Sequence, residues 1–227
     1  FGLIIPVLPQ ISTSFTSSGF LIGVLLSSYS LAQFFSAPYL GKLSDRIGRK
    51  PVLVLSKCGT IISYILLAHA HNYYLLLISR LLDGFTGGNI AVARAYLSDI
   101  SSEENRSKAM AIVGMSFAIG FILGPAIGGF CYQAANNFSI AGYVGAGLSL
   151  ISLIITIFGL KESENKHSCK NPPPILSSIP KLSKQTSLIL ITYGFIMIVF
   201  SGFETSFSVY TNSRFGLSES QNSYLFL

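Results

Sequence analysis

Apolar residues run along this chain in stretches of about 20, the length that crosses a hydrocarbon core about 30 Å thick. Short polar segments separate them. Read as helices, the stretches are 1–11 (a remnant), 20–40, 52–70, 73–97, 108–132, 138–160 and 186–210. That is seven nearly complete spans, with an eighth opening near Leu217. Helices are expected throughout, because an open strand edge leaves backbone groups unsatisfied in lipid. The polar stretch 161–185 carries Pro172, Pro173, Pro174 and Pro180. It reads as a linker between a transmembrane bundle at 1–160 and the start of a second at 186–227. The chain begins at Phe1 rather than Met and stops at Leu227 inside an apolar run, so it reads as a fragment of a longer protein.

Composition agrees with a membrane. Half of the 227 residues are hydrophobic and 11% are charged, whereas a soluble domain carries about 25% charged residues. The net charge of +6 raises the question of nucleic acid. Its distribution answers it, since the bases gather in short loops at the ends of apolar stretches. Segments 41–51, 99–108 and 161–185 hold four, two and five of the fifteen Lys and Arg residues. The segments that alternate with them hold one, Arg214. Eleven against one predicts that the linker is cytoplasmic, in a multi-pass protein of a plasma or organelle membrane. Cys58, Cys131 and Cys169 are scattered, with no disulfide framework or metal spacing. No Ser/His/Asp set, Walker loop or metal cluster is present, so the reading is not an enzyme and needs no cofactor or metal. His69 and His71 read as turn residues rather than ligands.

The densest basic loop is Gly41-Lys42-Leu43-Ser44-Asp45-Arg46-Ile47-Gly48-Arg49-Lys50, closed by Pro51. Gly41 is placed to end a helix in a left-handed conformation, and Pro51 suits the first turn of the next. Asp45 and Arg49, four apart, share a helical face. A plain positive-inside anchor would need the bases but neither the acid nor the glycines. The loop resembles the Gly-x-Leu-x-Asp-Arg-x-Gly-Arg-Lys signature of the major facilitator superfamily. The resemblance continues on other helices. Pro6-Val7-Leu8-Pro9 is similar to the first-helix proline motif of drug/proton antiporters. Arg80-Leu81-Leu82-Asp83-Gly84 is similar to the Arg-x-x-Gln-Gly motif, with Asp83 where Gln is usual. Gly120, Gly124-Pro125 and Gly128-Gly129 resemble the antiporter motif of the fifth helix, with Ala111 in place of its first glycine. Within the family, tetracycline-efflux and tetracycline-transporter-like proteins are the nearest in pattern.

The resemblance implies an all-α major facilitator fold and a secondary active transporter. It further implies proton-coupled efflux or antiport of a small organic solute by alternating access, with the protein a monomer. It makes Gly41, Asp45, Arg46, Gly48, Arg49 and Asp99 a gating latch. The intramembrane charges stand out because a charge at bilayer depth normally faces protein or water. Arg80 and Asp83 either neutralise each other at i, i+3 or take part in proton or anion coupling. Glu204 has no base near it in sequence, and burial favours a protonatable carboxyl, which suits a proton carrier. Lys57 and Arg94 read as snorkelling side chains. Tyr29, Gln33 and Asn89 are cavity-lining candidates or interhelical hydrogen bonders. Gly120, Gly124 and Gly128 line one helix face that lets a backbone approach, and Pro125 permits a bend. Two alternatives remain at this level: a truncated or degenerate relative that does not transport, and a seven-helix receptor. The base count disfavours the receptor, because it puts the N-terminus inside.

Overall fold

The computed structural model describes residues 2–4, 8–16, 18–135, 138–162 and 183–215, and it is all-helical over them. Eight helices follow in order: α1 (Leu8–Phe15), α2 (Gly19–Ile47), α3 (Arg49–Ala68), α4 (Tyr73–Gly87), α5 (Asn89–Ile100), α6 (Arg106–Ala135), α7 (Phe138–Gly159) and α8 (Lys184–Phe215). Six helical segments among the described residues are long and apolar enough to cross a membrane, with α4 and α5 counted together as one span, Tyr73–Ile100. The first stretch is not one of them, since α1 has eight residues. Most of the segment expected as a linker, and the expected eighth span, lie outside the described residues.

Among the described residues, many large apolar side chains face outward, and small hydroxyls share the interior with leucines and valines. Phe20, Phe34, Phe158 and Ile198 are exposed, while Ser28, Ser36, Ser44, Ser63 and Ser79 are buried. Small residues at helix contacts let backbones close up in lipid, where large apolar side chains gain nothing by leaving the surface. The buried hydroxyls of Ser28, Ser44, Ser63 and Ser79 donate to the carbonyl three residues back, so none is stranded. α3 packs on α4 and α7, and α2 packs on α4. One cluster joins Leu3, Leu8 and Ile11 to Leu25, Tyr64, Leu67 and Leu76. A second joins Leu40, Val52, Leu53 and Val92, with Leu160 against it. α8 touches the rest of the molecule where Phe200 meets Phe121 edge-on.

Two expectations are corrected here. The basic loop is almost entirely helix. α2 runs through Gly41 to Ile47, and Gly48, at φ +105°, is the single residue between α2 and α3. Gly41 does not end a helix, because Ser44, Asp45 and Arg46 have ordinary helical partners behind them; Gly48 makes the break instead, where a Cβ would be strained. Pro51 does lie in the first turn of α3. The span expected at 73–97 is divided at Gly88, between α4 and α5. Paired glycines at 87 and 88 weaken the helix there, and the amide of Gln33 donates to the Gly87 carbonyl at 2.9 Å.

Candidate functional site: a charge latch and a buried polar cluster

The break at Gly48 turns α3 so that Arg49 faces back toward α2 and across to α5. Its Nη1 lies 2.6 Å from Asp45 Oδ1 and 2.6 Å from Ser44 Oγ. Its Nε donates to Asp99 Oδ2 at 3.0 Å. One guanidinium thus joins two carboxylates on different helices, the geometry its fixed fork of donors favours. Arg49 and Asp99 are each 18% exposed, while Asp45 is 43% exposed. The Asp99 bond is therefore the better shielded of the two, and the Asp45 contact the shorter. Arg46, in the last turn of α2, points to solvent. The Leu40, Val52, Leu53 and Val92 cluster underlies this end of the bundle.

The second group lies deep in the bundle, between α2, α3 and α4. Arg80 is 2% exposed, and its Nη1 lies 3.3 Å from Asp83 Oδ2. The Arg80 guanidinium carbon sits 5.8 Å from the centre of the Tyr64 ring. Arg80 Nε and Nη2 are buried with no hydrogen-bond acceptor. A buried donor left unsatisfied is costly, so this guanidinium is held by packing and by one ion pair. Tyr29 and Gln33 stand beside the cluster, the Gln33 amide reaching the Tyr29 hydroxyl at 3.5 Å. Gly84 is where α4 meets α2; a Cβ there would overlap the Tyr29 carbonyl. Asn89 is half-buried at the start of α5, directly after the Gly88 break.

Lys57 does not behave as a simple snorkelling lysine. It is half-buried and within electrostatic reach of Asp83. It lines a cavity of about 170 Å³ with Tyr64, Ser149 and Ser152. The sequence reading takes Lys57 as a snorkelling side chain and does not single out Tyr64, which no local pattern marks. Arg94 is exposed. His69 Nδ1 donates to the Ile65 carbonyl at 2.9 Å, and its Nε2 meets the Tyr143 hydroxyl at 3.2 Å, beside the turn that follows α3.

The glycine face of α6 receives the start of the chain. A Cβ at Gly124 would stand 2.7 Å from the Gly2 carbonyl carbon, and one at Gly128 would overlap the Leu3 carbonyl. Gly120 approaches Gly2 through its own carbonyl, and Gly129 is buried. α6 continues through Pro125 as one helix. Pro6 lies outside the described residues, as does the side chain of Glu204, whose backbone is on α8.

Comparison with known proteins finds similar sequences and a similar fold. The tetracycline resistance protein, class B, of Escherichia coli is 34% identical over 223 residues, covering 95% of this chain and 55% of that protein. The quinolone resistance protein NorA of Staphylococcus aureus is 30% identical over 220 residues, covering 96% and 56%. The crystal structure of the human organic anion transporter MFSD10 (TETRAN) superposes with a TM-score of 0.76 at 25% identity, covering all of this chain and 64% of that one. The chain therefore spans about half the length of the curated relatives it matches. The family profile described as Major Facilitator Superfamily matches residues 1–227. Six membrane-capable helices, the relatives and the whole-length profile converge: this is an integral multi-pass membrane protein, and the chain belongs to the major facilitator superfamily.

Proposed function

We propose that this chain is part of a secondary active transporter that exports or exchanges a small organic solute against protons by alternating access. The observation that carries the reading is the Arg49 fork, which ties Asp45 on α2 to Asp99 on α5 at one end of the bundle. The Asp45 limb is exposed and the Asp99 limb only partly shielded, and an ion pair near the surface contributes little to stability, about 0–1 kcal/mol. A group of that strength is suited to a contact that forms in one state and parts in another, since only a modest bias has to be overcome. The base count assigns the latch and the 161–185 linker to the cytoplasmic side. Residues 1–160 act as the N-terminal bundle, 186–227 as the start of its partner, and the working unit is a monomer.

Coupling is assigned to the ionisable groups at bilayer depth: Arg80, Asp83 and Glu204. Tyr29, Gln33 and Asn89 line the solute path. The α6 glycine face provides a close helix contact that permits small rearrangement. The solute class follows the relatives' own names, so tetracycline, a quinolone and an organic anion are the first probes. The test is substrate-dependent proton flux in liposomes containing the full-length protein. Flux driven by one of these probes and weakened by Asp45→Asn supports the reading. No flux with any of them, or with a wider set of amphipathic organic ions, would reject it.

A further inference from the structure

α3 has no cap of its own. Its N-cap residue is Gly48, which offers no side chain, and the first amides of a helix lack intrahelical acceptors. The missing acceptor arrives from far along the chain. Glu162 Oε1 accepts from the Arg49 backbone N–H at 2.8 Å. A carboxylate at a helix N-terminus is favoured both by the charged hydrogen bond and by the helix dipole. Gly48 makes room for it. A Cβ there would stand 2.7 Å from Glu162 Oε1 and 2.9 Å from its carboxyl carbon. Glycine at this position thus serves the φ of +105° and also the approach of a side chain from another segment.

The approach of Glu162 is itself built. Leu160 packs on the Leu40, Val52, Leu53 and Val92 cluster beneath the latch. The Tyr96 hydroxyl donates to the Lys161 carbonyl at 2.9 Å. Tyr96 and Asp99 are three apart on α5, so one face of that helix holds both Lys161 and Arg49. Arg49 therefore meets three carboxylates: Asp45 and Asp99 at its guanidinium, and Glu162 at its backbone.

From this we infer that Glu162 is a positioning residue of the latch. It fixes the first turn of α3 so that the Arg49 fork points at Asp45 and Asp99, and it anchors the segment leaving α7 to that same turn. The inference rests on the latch reading given above. It makes the exit from α7 part of the gate rather than a passive tether.

The test uses the full-length protein in two measurements. Hydrogen exchange is followed in peptides covering residues 48–52, and transport of tetracycline and of fluorescein, as an organic anion, is followed in liposomes. Glu162→Ala removes charge and acceptor; Glu162→Gln keeps an acceptor oxygen and removes the charge. Loss of a capping bond corresponds to a change of about five-fold. Glu162→Ala should raise exchange at the Arg49 amide by about that factor and lower the maximal transport rate similarly with KM unchanged. Glu162→Gln should fall between. Added to Arg49→Ala, Glu162→Ala should cost nothing further, since the fork it positions is gone. Unchanged exchange at Arg49 would dispose of the contact. Faster exchange with normal transport, or an additive loss in the double variant, would reduce Glu162 to a helix cap and overturn the inference. Normal transport by both Asp45→Asn and Arg49→Ala would overturn it through the latch reading instead.

Discussion

Asp83→Leu removes the carboxylate that neutralises a guanidinium sealed inside the bundle. Arg80 is 2% exposed, its ion pair with Asp83 spans 3.3 Å, and two of its nitrogens already lack acceptors. Breaking a buried pair by removing one partner costs about 3–5 kcal/mol, because the remaining charge is uncompensated. The Tyr64 ring, 5.8 Å away, makes its cation–π contact with Arg80 in the wild type already, so it offsets none of this loss. Lys57, within reach of the same carboxylate, loses its counter-charge as well and adds to the cost. The net loss is then about 3–5 kcal/mol. Replacing both partners changes the sign of the argument. An apolar pair of similar volume strands no charge, so Arg80→Met with Asp83→Leu should be close to neutral. The assay is unfolding of the purified full-length protein in mixed micelles, titrated with a denaturing detergent, for wild type, both single variants and the double. Asp83→Leu should be the least stable of the four, and the double should recover most of the loss. If the double loses the sum of the two singles, or if Asp83→Leu matches wild type, the claim that this pair neutralises itself inside the bundle is refuted.

Four further outcomes are expected. Asp45→Asn should shift stability by less than about 0.5 kcal/mol, as for an exposed i, i+4 pair, yet cut transport; wild-type transport at wild-type stability would return the loop to a plain anchor. Gly84→Val should destabilise by about 1–3 kcal/mol through overlap with the Tyr29 carbonyl, read in the same detergent titration, and no change there would contradict the close α2–α4 contact. Gly48→Ala should cost about 1–2 kcal/mol from its positive φ alone, and an unaffected variant would mean that the α2–α3 break has another geometry. Glu204→Gln should uncouple solute movement from an imposed pH gradient in vesicles; unchanged pH-driven transport would remove Glu204 from the coupling set.

Much of the latch was legible before any coordinates. Spacing alone suggested one helical face for Asp45 and Arg49; the structure pairs them across the Gly48 break instead, from the end of α2 to the start of α3. The position of the break was not legible, because Gly41 and Gly48 are both plausible helix stops. What separates them is that an acceptor, Glu162, comes to the amide following Gly48. That residue lies 113 positions from Arg49, and no local pattern connects two such sites. Lys57 was misjudged for a related reason: its distance from the helix end suggested snorkelling, but α7 brings Ser149 and Ser152 around it and forms a cavity. Gln33 showed only that an amide sits within an apolar helix; its acceptor, the Gly87 carbonyl, exists because α4 breaks where α2 crosses it.

Six spans, the all-helical class, the segments that gather the bases and the family were legible in the sequence alone. These depend on composition along a line, and a bilayer of fixed thickness reads composition that way. Which charges meet was decided only by tertiary structure. Arg49 meets Asp99 on another helix and Glu162 in the segment after α7. Lys57 on α3 lies near enough to Asp83 on α4 to feel its charge, and Gln33 on α2 reaches Gly87 on α4. Their pairing follows from how small buried residues let those helices close on one another, and that packing is a property of surfaces rather than of any single stretch of chain.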